Sequence, residues 1–206
     1  SETEKLYVER INIYGNNITQ ENVIRNSFEI DEGDPFNELL HAKTLNNIKS
    51  LNIFKEVDAE ITEGSTSSQK IIDINVEEKA TGELSLGAGF GSDGGTIGFS
   101  VSENNFLGKG IKLSTSIRAT QSTLRGNFTV YNPNFNYTGK GLRTNIESSV
   151  IDKLSSAGYE STKTGFSFGT SYLQFEDTTF NPSYSVFHEK LTTTTGASKN
   201  IRKQDG

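Results

Sequence analysis

Two neighbouring segments, 82–91 and 95–102, place an apolar residue at every second position: Leu84, Leu86, Ala88 and Phe90, then Ile97, Phe99 and Val101. The positions between these apolar residues hold only Ser or Gly. Alternation with a period of two predicts strands with one apolar face. The opposite face carries almost no side-chain volume, which is unusual in a soluble sheet. It is typical of a strand that lies between lipid and a polar barrel interior.

The composition excludes several classes of function. The 206 residues carry a formal net charge of −6, which argues against a basic nucleic-acid binder. Cysteine is absent and only His41 and His188 are present, so zinc sites and histidine triads lack ligands. The glycines at 87, 89 and 91 are not followed by the helix that a phosphate-binding loop requires. We therefore expect no catalytic residue, no metal, no cofactor and no enzymatic activity.

Charge is divided unevenly along the chain. Residues 1–80 hold 8 Lys or Arg against 16 Asp or Glu, whereas residues 81–206 hold 12 against 10. A change of charge balance near Ala80 predicts a boundary between a domain at 1–80 and a second domain at 81–206.

The first of these domains has a mixed α+β pattern. Leu6 to Tyr14 is typical of a strand, and Thr19 is the expected N-cap of a short helix. Apolar residues recur at helical spacing over 37–50, and two alternating strands follow at 54–61 and 70–78. The predicted order is β-α-α-β-β.

After Ala80 the alternation continues through about seven strands, with an eighth expected from Leu191. These strands approach ten residues, their non-apolar face is mainly Gly, Ser, Thr and Asn, and aromatic residues cluster near their ends. These features favour a transmembrane barrel over a soluble β-sandwich. The aromatic residues expected at the membrane interfaces are Tyr131, Phe135, Tyr137, Tyr172, Phe175 and Phe180.

A short repeat supports a meander. Asn105-Phe-Leu-Gly-Lys-Gly110 recurs 31 residues later as Asn136-Tyr-Thr-Gly-Lys-Gly141. Two strands separate the copies, so both turns are expected at the same end of an up-and-down sheet.

These motifs together resemble the BamA family of bacterial outer-membrane protein assembly factors. Residues 6–79 are similar to its membrane-proximal POTRA domain, and Gly82–Gly91 is similar to its first barrel strand. The matching pieces are Tyr7–Asn16, Glu32-Gly33, Leu51–Asp58, Ile74–Lys79, Asn105–Gly110 and Tyr131–Phe135. The resemblance implies an α+β POTRA domain followed by an antiparallel β meander, the N-terminal half of a transmembrane β-barrel. The chain is accordingly expected to be a fragment.

The resemblance also implies a function and a location. The expected function is insertion of β-barrel proteins into the outer membrane, with the POTRA domain in the periplasm. The expected partners are unfolded outer-membrane proteins, assembly-complex lipoproteins and outer-membrane lipid, with no nucleic acid. A two-partner secretion pore, a passive outer-membrane barrel and a soluble binding module remain alternatives.

Three sets of residues are candidates for this function. The first barrel strand is the expected lateral gate for client strands: Gly82, Glu83, Leu84, Ser85, Leu86, Gly87, Ala88, Gly89 and Phe90. The expected POTRA edge strand is Phe54, Lys55, Glu56, Val57, Asp58 and Ala59. Glu32 matches a family position that contacts a partner lipoprotein, with Arg25 assisting, and a solvated surface pair is the open alternative.

Overall fold

The computed structural model describes residues 5–91, 94–175 and 178–194. The chain divides into two compact units. The first unit comprises Ser1–Thr81 together with Asn104–Gly110, and the second comprises Gly82–Glu103 and Ile111–Gly206. The first unit therefore contains a short segment that comes from between two strands of the second.

The first unit has the expected β-α-α-β-β order. Its elements are β1 (Tyr7–Tyr14), α1 (Glu21–Arg25), α2 (Glu38–Ser50), β2 (Phe54–Glu63) and β3 (Gln69–Glu78). The strands form a sheet in the order β1-β3-β2, in which β3 runs parallel to β1 and antiparallel to β2. Both β1 and β2 are consequently edge strands of this sheet.

One hydrophobic core holds the first unit together. Alternation along β3 directs Ile72, Ile74 and Val76 to one face of the sheet, where Ile48 of α2 is fully buried against it. Burial of apolar surface supplies the main stabilisation of such a unit. The buried apolar residues are Val8, Ile11, Ile24, Ile30, Ile48, Ile53, Phe54, Val57, Ile72, Ile74 and Val76.

The two helices begin differently. The side-chain oxygen of Asn37 caps α2 by accepting hydrogen bonds from the N–H groups of Leu39 and Leu40. The prediction that Thr19 caps α1 is wrong, because α1 begins at Glu21 and its N-cap is Gln20 without a side-chain hydrogen bond. Thr19 is buried instead, and its hydroxyl oxygen accepts a hydrogen bond from Asn105.

The second unit is an antiparallel meander, as expected. Its strands are β4 (Gly82–Gly91), β5 (Gly94–Phe106), β6 (Ile111–Thr120), β7 (Thr123–Asn132), β8 (Gly141–Lys153), β9 (Tyr159–Phe175), β10 (Thr178–Phe180) and β11 (Ser183–Thr193). The last three residues of β5 belong to the first unit. Strands β4 to β10 are neighbours in sequence order, and β11 also pairs with β9. A 3-10 turn at Phe135–Tyr137 and α3 (Leu154–Ala157) connect strands. Among the described residues, no helix is long and apolar enough to cross a membrane.

The eighth strand expected from Leu191 is a wrong prediction. Leu191 lies inside β11, opposite Ser161 of β9. The pairing of β11 with β9 is continuous from Ser183 to Thr193, so the polar residues before Leu191 extend the strand rather than forming a turn.

The register of the second sheet separates an apolar face from a polar face. One row across β7, β8, β9 and β11 consists of Phe128, Ile146, Phe166 and Val186. The next row consists of Thr129, Asn145, Ser167 and Ser185. The amide oxygen of Asn145 accepts hydrogen bonds from Thr129 at 2.9 Å and from Asn127 at 2.6 Å. This division between faces is typical of a sheet with lipid on one side and a polar interior on the other.

Tyr131 does not belong with the aromatic residues of the apolar face. It pairs with Lys112 and Arg143 on the polar face, and the Arg143 guanidinium carbon lies 4.8 Å from its ring centre. Because Phe128 and Val130 occupy the apolar face, alternation turns Tyr131 the other way. Its expected place at the membrane interface is therefore wrong.

Candidate functional site

One edge of strand β4 is unpaired in the part of the chain that the structure describes. Within the described residues it pairs only with β5, through a continuous register from Gly82 opposite Glu103 to Gly91 opposite Gly94. All of its residues are exposed, and Phe90 reaches 95% exposure. The nine residues expected to form a lateral gate all lie on this strand. Its free backbone N–H and C=O groups can pair with a further strand.

Glycine leaves the polar face of β4 without packing. A side chain at Gly87, Gly89 or Gly91 would meet no atom within 4 Å. The strand is therefore attached to β5 by backbone pairing and by the apolar residues of its other face. Glycine within a strand weakens it, because it loses more conformational entropy on folding and offers no side chain to pack.

The outer edge of β2 also has no strand partner over the described ranges. Within the described residues β2 pairs only with β3. Of the six residues expected on this edge strand, Phe54 and Val57 are buried, Ala59 is half-buried, and Lys55, Glu56 and Asp58 are exposed. The Lys55 ammonium lies 2.7 Å from Glu77 of β3, and this hydrogen bond and charge raise the pKa of Lys55.

The outer edge of β1, in contrast, is covered. The Ile11 N–H donates to the Glu32 carboxylate at 2.9 Å, and the Ile11 carbonyl accepts from the Arg25 guanidinium at 3.0 Å. Further along the same edge, the Val8 N–H donates to the Asp34 carbonyl and the Val8 carbonyl accepts from the Gly33 N–H. Of the two edge strands in this unit, β2 is the one that leaves its edge available.

Glu32 and Arg25 therefore serve the domain itself. The Arg25 guanidinium contacts both Glu32 at 3.7 Å and Glu21 at 2.6 Å. The side chains of Arg25 and Glu32 remain 39% and 45% exposed, respectively. Contact with a partner lipoprotein stays a prediction for this pair.

A second group of polar residues was not predicted from the sequence. The Glu78 carboxylate accepts hydrogen bonds from the backbone N–H groups of Thr19 at 2.6 Å and Ile18 at 2.9 Å. Burial alone would raise the pKa of Glu78, but these hydrogen bonds together lower it below the ordinary 4.5. The Thr19 hydroxyl in turn accepts from the Asn105 amide at 2.9 Å. The only sequence signal was the repeated turn that Asn105 opens.

His41 is a core residue of the first unit. Its ring centre lies 6.0 Å from that of Phe36, and burial lowers the pKa of His41 although the nearby Glu38 charge opposes this. Within residues 5–91, 94–175 and 178–194, no three His, Asp or Glu side chains are placed to hold a metal ion.

The second unit, a sheet with one apolar and one polar face, is typical of the β-barrel class of outer-membrane proteins, and here it directly follows an α+β domain. Residues 6–79 match the POTRA family model, described as a surface antigen variable number repeat. The chain thus combines a POTRA domain with strands of an outer-membrane β-barrel.

Curated relatives match more than half of the chain. The outer membrane protein assembly factor BamA of Neorickettsia risticii is 34% identical over 130 residues, covering 62% of this chain and 17% of the relative. BamA of Neisseria meningitidis serogroup B is 26% identical over 150 residues, covering 72% of this chain and 19% of the relative. The chain therefore spans less than a fifth of the length of these relatives.

Solved structures agree on the fold. The crystal structure of BamA from Haemophilus ducreyi lacking POTRA domains 1–3 is similar with a TM-score of 0.80 at 23% identity, covering 94% of this chain and 37% of that one. CdiB from Escherichia coli is similar with a TM-score of 0.65 at 15% identity, covering 93% and 39%. The chain is a BamA-like POTRA and β-barrel protein of the outer membrane, with its POTRA domain in the periplasm.

Proposed function

We propose that this protein assembles and inserts β-barrel proteins into the outer membrane by β-augmentation of client strands. The observation that carries the proposal is the edge of β4 that is unpaired among the described residues, in a glycine-rich strand that directly follows the POTRA domain. The naming of the curated relatives as outer membrane protein assembly factors supports it.

The mechanism requires no covalent chemistry. When a client strand enters lipid, each backbone N–H or C=O group that lacks a hydrogen-bonding partner costs several kcal/mol of free energy. An open strand edge supplies hydrogen-bonding partners before the client leaves water. Because Gly87 and Gly89 weaken β4, this strand can separate from a closing partner and pair with the client instead.

The two open edges have different environments in this mechanism. The β2 edge of the periplasmic POTRA domain contacts unfolded outer-membrane proteins transiently in water. The β4 edge receives client strands at the membrane, where outer-membrane lipid covers the apolar face of the sheet. Glu32 and Arg25 expose enough charge to contact an assembly-complex lipoprotein while they cover β1.

The test is a reversible lock on β4 in the full-length protein. Ser85 on the polar face is replaced by Cys and paired with a Cys on the strand that closes the barrel. Insertion of a model client into proteoliposomes is then measured after oxidation and again after reduction. Oxidation should abolish insertion and reduction should restore it.

A matched lock controls for the disulfide itself. The hydroxyl oxygens of Ser148 on β8 and Thr164 on β9 lie 3.1 Å apart, so a Cys pair there joins two strands away from β4. This control should leave insertion unchanged. Full insertion with the β4 lock formed would refute the gate.

A two-partner secretion pore is the second candidate, favoured by the likeness of the fold to CdiB. Such a pore would export a polypeptide across proteoliposomes and would not insert barrel clients. A passive barrel would conduct ions without either activity. Measuring export, insertion and conductance on one preparation separates the three.

A further inference from the structure

The connection between β5 and β6 folds as part of the first unit. The chain leaves this unit at Thr81 and returns at Asn104, whose N–H donates to the Thr81 carbonyl at 3.2 Å. Asn105 is only 7% exposed. The side chain that opens the turn is therefore buried in the first unit, whereas Phe106 and Leu107 after it remain 40% and 68% exposed.

Residues 18–23, here called the turn-binding surface, hold this turn. The Asn105 amide donates to the Thr19 hydroxyl at 2.9 Å, and the Gly108 carbonyl accepts from the Gln20 N–H at 2.8 Å. A Cβ at Gly110 would lie 3.1 Å from a methyl group of Val23, so backbone and side chain are closely packed there. The Glu78 carboxylate holds the backbone of this surface in place by accepting hydrogen bonds from the N–H groups of residues 18 and 19.

The same turn recurs between β7 and β8. In the first turn the Asn105 side-chain oxygen accepts from the Gly110 N–H at 2.8 Å, and in the second the Asn134 oxygen accepts from the Gly139 N–H at 2.8 Å. Positive φ angles occur at matching positions: 57°, 68° and 65° at Leu107, Gly108 and Gly110, and 52°, 57° and 70° at Asn136, Tyr137 and Gly139. The structural repeat thus aligns Asn105 with Asn134, whereas the sequence repeat aligned it with Asn136.

One position distinguishes the two turns. Gly108 in the first turn corresponds to Tyr137 in the second, and Tyr137 is 60% exposed. A Cβ at Gly108 would overlap the carbonyl oxygen of Ile18. The second turn therefore has the required backbone but carries a side chain that the turn-binding surface cannot accept.

We propose that residues 18–23 form a binding site for an Asn-x-x-Gly-x-Gly turn and that Gly108 determines which turn it accepts. Asn105 supplies the donor to Thr19, and the missing side chain at Gly108 brings its carbonyl within reach of the Gln20 N–H. This inference goes beyond the proposed function and does not depend on client insertion.

The experiment introduces into the first turn the one residue that distinguishes the second. Gly108→Tyr places the residue found at 137 on a backbone that already tolerates it there. Amide exchange of the full chain in detergent is followed at two positions: the Gln20 N–H reports binding of the turn, and the Gly110 N–H reports formation of the turn itself. Exchange at Gln20 should accelerate by about tenfold or more, while Gly110 stays protected.

Three further variants complete the test. Tyr137→Gly should change neither amide, since the first turn already occupies this surface. Thr19→Val should accelerate exchange at Gln20 because it removes the acceptor of Asn105, and Thr19→Ser should restore protection. Unchanged exchange at Gln20 in Gly108→Tyr would overturn the proposal. Equal loss of protection at Gly110 would also overturn it, because Gly108 would then serve turn formation and not selection.

Discussion

The Glu32 carboxylate accepts a hydrogen bond from the backbone N–H of Ile11 at 2.9 Å. A residue expected to contact a partner thus also covers the outer edge of β1. The predicted contact with a partner therefore has to be distinguished from the stabilising role of this residue, and substitutions must separate the two.

Two substitutions at Glu32 separate these roles. Glu32→Gln keeps an acceptor for the Ile11 N–H and should leave the free energy of unfolding nearly unchanged. Glu32→Lys removes the acceptor and places a second cation beside Arg25, which should destabilise the first unit by about 1–2 kcal/mol. Denaturant unfolding measures stability, and lipoprotein pull-down measures binding. A folded Glu32→Gln protein that still captures the lipoprotein fully would dismiss a role for the Glu32 charge in partner contact.

Strengthening β4 should slow client insertion. Gly87→Val and Gly89→Val each add a β-branched side chain in open space and should stabilise the strand by up to about 1 kcal/mol. Gly126→Val on interior strand β7 also enters open space and is the matched control. Insertion rates in proteoliposomes should fall for the β4 variants alone. A more stable β4 with an undiminished rate would contradict the proposed opening of this strand.

The open edge of β2 should be reachable by clients. A photo-crosslinking residue at Asp58, exposed on β2, should capture an unfolded outer-membrane protein during assembly. The same residue at Lys49, exposed on α2, should not. Crosslinked products are compared by mass spectrometry, and equal yields at both positions would argue against selective contact at β2.

Stability of the first unit should decrease in acid through Glu78. The pKa of Glu78 is below 4.5 in the folded state, so the unfolded state binds more protons as pH falls. Its contribution is therefore complete above pH 4.5 and is lost as pH falls through the lower, folded-state pKa. Unfolding of Glu78→Gln and of the unmodified chain is compared from pH 7 to about pH 3. Hydrogen bonds from Ser65 also lower the pKa of Glu9, but this residue is present in both proteins, so their difference reports Glu78. Parallel pH profiles would show that Glu78 does not contribute.

Truncation of two residues of α2 should change the free energy of unfolding by very different amounts. Ile48 is fully buried, and Ile48→Ala should cost about 2–5 kcal/mol because it removes apolar contacts and leaves a cavity. Leu39 is 81% exposed on the same helix, and Leu39→Ala should change stability by less than about 0.5 kcal/mol. Denaturant unfolding of the first unit provides both values. Similar losses for the two variants would contradict the placement of the core.

The elements of both units follow from local periodicity, which explains why they could be predicted. Apolar alternation marks β3 and β4 directly, and helical spacing marks α2. The orientation of Tyr131 was equally available, since Phe128 and Val130 on the same strand already assign it to the polar face. The face on which Tyr131 lies is set by alternation along β7 and not by nearness to a strand end, which is why the predicted interface position is wrong.

The polar contacts of the first unit could not be predicted in this way. Thr19 and Asn105 are 86 residues apart, and no local pattern pairs them. Covering of the β1 edge by Glu32 likewise depends on where the loop after α1 returns in space. The sequence repeat indicates two related turns, but the alignment of Asn105 with Asn134 could not be predicted, because it depends on φ angles at residues such as Leu107 and Asn136 rather than on residue identity.

The return of the chain to its first unit at Asn104 sets an order of folding events. A chain that emerges from its N-terminus presents residues 18–23 well before residues 104–110 exist to cover them. Contacts over such a sequence separation form late, because closing a long loop costs entropy before the contact compensates for it. The periplasmic domain therefore reaches its final state only after the residues of the first hairpin of the membrane sheet are available. A completely folded POTRA domain thus indicates that formation of the barrel has begun.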